Sequence, residues 1–182
     1  MKHFLSYLLC RRERRVVVST DFDLPTRYRA VWWKQSLLKP LPPIPIKYMF
    51  IDRYLASWVY YLITGRGLQS IVISEVGTGD FAHISTLFPP DWKYRFMGKK
   101  DLLIAFILTS DSHQKNGLAK YAIQELLRRS ILEDGYIWYM TRSGNGPSER
   151  IAKKSGFTCV GQVHRKLRLG SAKFGTFDSI VA

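Results

Sequence analysis

Seven near-continuous apolar residues, Leu102–Leu108, run into a polar segment, Thr109–Gly117, and then into a helical repeat. This junction constrains the fold more than any other stretch. An uninterrupted apolar run of that length reads as a strand buried on both faces. The repeat after it, Leu118–Ile131, places Leu118, Ala119, Ala122, Ile123, Leu126, Leu127 and Ile131 on one face. Lys120, Gln124, Glu125, Arg128 and Arg129 lie opposite, the pattern of a helix with one face against a core. A doubly buried strand feeding such a helix implies a sheet with helices packed on it.

The neighbouring segments extend that sheet. Ser70–Val76 and Phe81–Phe88 flank Gly77-Thr78-Gly79-Asp80 and read as a β-hairpin. Tyr136–Met140 reads as a strand. Pro147–Ser155 reads as a short helix, with Pro147 in the first turn and Gly156 as its C-terminal stop. Phe157–Val163 and Lys173–Val181 read as closing strands. The expected class is α/β (α+β), a mixed sheet flanked by helices. Residues 1–68 are less regular and rich in Arg, Trp, Tyr and Pro. Pro40, Pro42, Pro43 and Pro45 would end any helix running from Thr26 to Leu38.

At 182 residues the chain fits one domain, here 1–182, with a divergent part at 1–68 and a well-patterned core at 69–182. A chain this size buries about 70% of its unfolded surface and needs no staples. The two cysteines, Cys10 and Cys159, are too few for a disulfide scaffold or a four-cysteine zinc site. A reducing, cytoplasmic setting is the expectation, with Cys159 a core residue. No metal site is expected. The net charge of +14 favours polyanions: nucleic acid, an anionic membrane, or a phosphate-rich small ligand. Phe4–Cys10 is apolar but precedes the Arg11–Arg15 cluster, the reverse of a signal peptide's charge order. Residues 1–15 read as an ordinary first helix with solvated arginines, the commoner case, or as an amphipathic helix touching an anionic membrane.

The junction also carries chemistry. Amide N–H groups in the first turn of a helix lack intrahelical acceptors, and the helix dipole places partial positive charge there. Gln114, Lys115, Asn116, Gly117, Leu118 and Ala119 open the helix. Gly117 permits close backbone approach, and Lys115 adds a full charge. Together they make a phosphate cradle, different from the Walker loop and the dinucleotide fingerprint.

Gln114-x-x-Gly117-x-Ala119 resembles the pyrophosphate loop of the GNAT superfamily, the Gcn5-related N-acetyltransferases. A second GNAT pattern is similar to Asn145, Ser148, Arg150, Lys154, Gly156-Phe157 and then Gly161. Both resemblances fall within 69–182. They imply a GNAT fold, with the sheet splayed between the family's fourth and fifth strands. They imply acetyl-CoA as acyl donor, its pantetheine on the main chain of Ile107, Leu108 and Thr109 and its pyrophosphate on residues 114–119. Asn145 and Ser148 join the donor site, and Asn145 the catalytic set, on the same resemblance. The acceptor implied is a primary amine of a small molecule, reacting directly in a ternary complex. Phe88-Pro89, Tyr94-Arg95-Phe96-Met97 and Asp101 resemble GNAT enzymes of surface-polysaccharide pathways, which implies a nucleotide-linked amino sugar.

Two departures bear on mechanism. Many GNAT enzymes carry a Tyr four residues before the Gly of Gly-Phe, which protonates the departing thiolate. Here that position is Ala152, leaving Tyr139 as substitute acid or as core packing. Asp111 replaces a common loop proline, putting an acid near the phosphates. For the general base, His83 on the strand after the hairpin titrates in the right range, with a structural hydrogen-bonded role as its alternative. Glu75 and Asp80 are further choices. The competing function is a non-catalytic GNAT fold that binds nucleic acid or membrane through its basic, aromatic-rich N-terminal part, although no nucleic-acid module is evident.

Overall fold

The computed structural model describes residues 6–13, 23–91, 93–130, 134–168 and 171–181. Among these residues it shows an α/β fold with eight strands and three α-helices. The chain divides into two compact units. One holds residues 18–89 and 106–129, and the other holds 1–17, 90–105 and 130–182.

The 18–89/106–129 unit is built on the antiparallel strands β2 (Tyr28–Lys34), β3 (Gln69–Glu75) and β4 (Phe81–Phe88), with β5 (Leu102–Thr109) next to β4. The expected hairpin is present, shifted by one residue on its first strand. All of β4 from Phe81 to Leu87 is buried, so His83, Ser85 and Thr86 need partners inside the unit. Ser70 and Thr86 meet hydroxyl to hydroxyl at 3.0 Å. Helix α2 (Leu118–Arg129) packs on β3 and β4 and buries Leu118, Ala122, Ile123, Leu126 and Leu127 of the expected stripe; Ala119 is half-buried, and Gln124, expected on the polar face, is buried. Ile131, the last residue of the expected helix, lies outside the described residues.

Helix α1 (Ile51–Thr64) was not evident in the sequence. It buries only Tyr54, which packs with Trp33 and Leu68. Gly65 stops it in the left-handed conformation at φ 71°, a position that suits glycine. The segment from Thr26 to Leu38 is no helix: it contains β2 and then a tight turn.

In the other unit the order is β5, β6 (Tyr136–Arg142), β1 (Ser6–Glu13), β7 (Thr158–Arg168) and β8 (Ser171–Val181). Helix α3 (Gly146–Lys154) joins β6 to β7. Of these strand pairs, among the described residues, β5–β6 is parallel and the others are antiparallel. The expected first helix is therefore corrected to a strand over Ser6–Glu13; residues 1–5, 14 and 15 lie outside the described residues. The correction has a physical cause. Leu9 and Cys10 are fully buried between two antiparallel neighbours. Arg11 and Arg12 each have a partner in the tertiary structure. Arg11 stacks on the Tyr136 ring at 4.7 Å, and Arg12 donates to the Ser155 carbonyl past the end of α3.

Cys10 and Cys159 are directly opposed across β1 and β7 and form a disulfide. The expectation of unpaired cysteines is corrected accordingly. Their separation of 149 residues in sequence had concealed the pairing. No described helix is long and apolar enough to cross a membrane.

Candidate active site

Strand β5 changes character halfway. Leu102, Leu103 and Ile104 pair with Ile137, Trp138 and Tyr139 of β6, and the ladder extends no further among the described residues. Phe106 then adopts φ 59°, a left-handed conformation that costs a non-glycine residue about 1 kcal/mol. Its ring is held edge-on by Phe50 and Tyr54, at 5.1 and 6.1 Å. Such a kink re-aims the main chain of the following residues, Ile107, Leu108 and Thr109.

Beyond Thr109 the chain is braced at each step. Ser110 N and Oγ donate to the carbonyls of Ala82 and Phe81 on β4, at 3.0 and 3.1 Å. A single 3-10 turn, Asp111–His113, follows. His113 is buried, with Tyr28 Oη 3.1 Å from its Nδ1. Gln114 Nε2 donates to Asp111 Oδ1 at 2.8 Å, so the acid expected near the phosphates is engaged by its own loop. Asn116 Nδ2 donates to the carbonyls of His113 and Gln114. Lys115 and Gly117 take φ of 63° and 74°, turning the backbone twice before α2 begins at Leu118. The N–H groups of a helix's first turn lack intrahelical acceptors and, with the helix dipole, suit an anion. Lys115 is exposed there.

His83 differs from the expected base. It is fully buried, with Nδ1 2.7 Å from Thr109 Oγ1 and Nε2 2.8 Å from Ser85 Oγ. A neutral imidazole satisfies both hydroxyls, one ring nitrogen donating and the other accepting. Burial pushes its pKa down to about 3. The sequence reading missed Ser85, whose i+2 spacing from His83 on a strand places both on one face. Glu75 and Asp80 lie at the hairpin, where Asp80 is exposed and Glu75 accepts from Thr78 Oγ1 at 3.4 Å.

The other unit gathers Tyr139, Asn145 and Ser148. Tyr139 is fully buried, with its hydroxyl 2.7 Å from Ser148 Oγ, and burial raises its pKa. Asn145 Oδ1 accepts from Ser148 N at 3.3 Å and caps α3. Ala152 is wholly buried, and its carbonyl accepts from the N–H groups of Ser155 and Phe157. Asp101 is also buried and accepts from Gly98 N, Tyr136 N and Trp138 Nε1. Tyr94 stacks on Phe177 at 5.5 Å. These last contacts give Asp101 and Tyr94 structural partners. No group of three or more metal-ligating side chains occurs among the described residues.

No protein-family model matches the chain, and no curated protein matches it in sequence. Solved structures do match in fold. A GCN5-related N-acetyltransferase from Sphaerobacter thermophilus is similar with a TM-score of 0.60 at 9% identity, over 88% of this chain and 50% of that one. A tandem GNAT protein from the clavulanic acid biosynthesis pathway gives 0.59 at 14% identity, over 87% of this chain and 51% of that one. A GCN5-related N-acetyltransferase from Kribbella flavida gives 0.50 at 12% identity, over 85% and 54%. The chain thus has the fold of GNAT acetyltransferases and spans about half the length of these structures.

Proposed function

We propose that the protein is an acyl-CoA-dependent N-acyltransferase, with acetyl-CoA as donor and a primary amine of a small molecule as acceptor. The observation that carries this reading is the Gln114–Ala119 loop. It turns left-handed twice, at Lys115 and Gly117, and opens α2 directly after the kinked strand β5 of a GNAT fold. Its N–H groups and Lys115 are the partners for the donor's pyrophosphate. The main chain of Ile107, Leu108 and Thr109 is the partner for pantetheine. An anionic acceptor such as a nucleotide-linked amino sugar suits the charge of +14.

In the reaction the amine nitrogen forms a bond to the thioester carbonyl carbon, the carbon–sulfur bond breaks, the thiolate leaves, and the nitrogen gives up its second proton to water. The ammonium must first lose a proton, and a protonated alkyl amine titrates near 10.4. His83 is poorly suited to take that proton, because both ring nitrogens are engaged and its neutral form is strongly favoured. Its role in this reading is to hold Thr109 at the end of β5. Proton removal falls to Glu75, Asp80 or water. Tyr139 and Asn145 support α3 through Ser148, and the thiolate leaves unassisted at a thiol pKa of about 8.5.

The test is calorimetric titration with acetyl-CoA, followed by a screen of amine acceptors for thiol release. Micromolar donor binding, a raised melting temperature and amine-dependent thiol release are expected. Absence of both heat and thermal shift at millimolar CoA sinks the reading.

A further inference from the structure

Among the described residues, every large exposed apolar side chain except Val76 lies between Val31 and Ile63. Five of them, Ile51, Leu55, Val59, Leu62 and Ile63, fall at i, i+4, i+8, i+11 and i+12 of α1. That spacing forms one exposed stripe along the helix, centred about 110° round from buried Tyr54. Ile63 is 79% exposed at the end of this stripe. A second apolar element adjoins the helix. Ser36 and Lys39 exchange main-chain hydrogen bonds of 3.2 and 3.3 Å, closing a two-residue turn whose tip is Leu37-Leu38. Leu38 is 88% exposed. Trp58 Nε1 donates to the Ser36 carbonyl at 3.2 Å, and Gln35 Nε2 donates to the Tyr54 carbonyl at 3.2 Å, tying the turn to α1.

The charge around these elements has one sign. Between residues 27 and 66 there are seven Lys or Arg side chains, all exposed, and one acid, Asp52. Lys34 and Lys39 bracket the Leu37-Leu38 tip. Lys47 lies over the Tyr48 ring at 4.9 Å and Arg53 over Phe50 at 5.1 Å, each cation beside an aromatic side chain. An apolar helix stripe and an apolar turn tip set among cations and aromatics have the make-up of a surface that rests in the headgroup layer of an anionic bilayer. Two other occupants fit less well. A symmetric dimer through this face would set Lys39, Lys47 and Arg53, the cations on or beside these elements, against their copies. A nucleic acid would meet the cations but leave Leu38 and Ile63 without an apolar partner.

We infer that α1 and the Leu37-Leu38 turn form a docking surface for anionic phospholipid membranes. α1 lies in the interface, and the turn tip enters the acyl boundary. This surface is independent of the acyltransferase reading and needs no donor.

Vesicle sedimentation of the full chain tests the inference, comparing phosphatidylcholine vesicles with phosphatidylcholine–phosphatidylglycerol vesicles. Binding to the mixed vesicles, and little to the neutral ones, is expected. Leu37→Ser/Leu38→Ser and Leu55→Ser/Ile63→Ser should each weaken partitioning about tenfold, since each pair removes apolar area from the interface. All four positions are exposed, and a melting curve for each variant checks that the fold is kept. Lys39→Glu/Lys47→Glu should weaken binding in proportion to the anionic lipid content. Three outcomes overturn the inference. One is no sedimentation with anionic vesicles. Another is binding that both serine variants retain in full and salt alone removes, which assigns it to net charge. The third is a dimer on size exclusion that Leu55→Ser/Ile63→Ser converts to monomer without any vesicle binding.

Discussion

His83 Nδ1 lies 2.7 Å from Thr109 Oγ1, joining the middle of β4 to the end of β5. Ser85 holds the opposite ring nitrogen, so the imidazole bridges two hydroxyls within a buried strand. Burial depresses its pKa to about 3, against about 6.5 in an unfolded chain. Below pH 6.5 the unfolded state therefore binds a proton that the folded state does not. Stability contributed by neutral His83 is fully present above pH 6.5. It declines as pH falls from 6.5 toward 3, by at most about a tenfold change in the folding equilibrium per pH unit. Urea unfolding at pH 7.5 and pH 5 should show this slope in the wild type, and His83→Gln should flatten it. A slope unchanged in His83→Gln would assign the acid sensitivity elsewhere.

The same geometry predicts the kinetics. An imidazole with pKa near 3 gives no inflection near pH 6.5 in the rate of acyl transfer. His83→Gln should lower turnover by less than about 10²-fold, below the range of a lost general base. A loss of 10³-fold or more with unchanged donor affinity would restore His83 as the base.

At the donor loop, Gly117→Glu should weaken acetyl-CoA binding by at least about a hundredfold, equivalent to about 2.7 kcal/mol. The φ of 74° disfavours any side chain, and a carboxylate would sit where the pyrophosphate binds. Arg11→Glu should leave affinity within about threefold, because Arg11 is no part of the Gln114–Ala119 loop and a solvent-screened charge change moves binding little. Calorimetry on both variants separates the two effects. Equal losses would show that net charge, not loop geometry, governs affinity.

The sequence disclosed β5, the loop and α2 because their signals are local. A continuous apolar run, a glycine and a helical repeat follow each other within 30 residues. Strand β1 was concealed because Arg11 and Arg12 break its alternation, and their partners, Tyr136 and Ser155, lie more than a hundred residues away. Helix α1 was concealed for a different reason. Its only buried residue is Tyr54, and its apolar stripe faces outward, so the usual link between apolar periodicity and core burial is reversed. His83 could be read from type and position, but its engagement at both nitrogens depends on Thr109, 26 residues further on.

The Cys10–Cys159 disulfide closes a loop of 149 residues, which on chain-entropy grounds stabilises the folded state by about 5 kcal/mol. Thermal melts with and without dithiothreitol should therefore differ by at least 10 °C on the usual scale of about 2–4 °C per kcal/mol. Cys10→Ser/Cys159→Ser should melt at the lower temperature under both conditions. Identical wild-type melts, together with two titratable thiols in the unreduced protein, would show that the pair is not oxidised in solution.

Tyr139 provides the last prediction. Its hydroxyl is buried against Ser148 Oγ, and burial raises its pKa, which keeps it protonated at neutral pH and makes it a reluctant acid. Tyr139→Phe removes one buried hydrogen bond and leaves Ser148 Oγ without that partner, at a cost of about 1 kcal/mol in stability. Turnover should fall by less than about 10²-fold, and the donor's affinity should be unchanged. Ser148→Ala should reproduce the stability loss, and the double variant should cost less than the sum, because both changes break the same contact. Single-turnover kinetics with a poor and a good thiolate leaving group decide the catalytic question. If Tyr139→Phe slows the poor leaving group far more than the good one, Tyr139 delivers the proton after all. Equal slowing confines it to holding the start of α3.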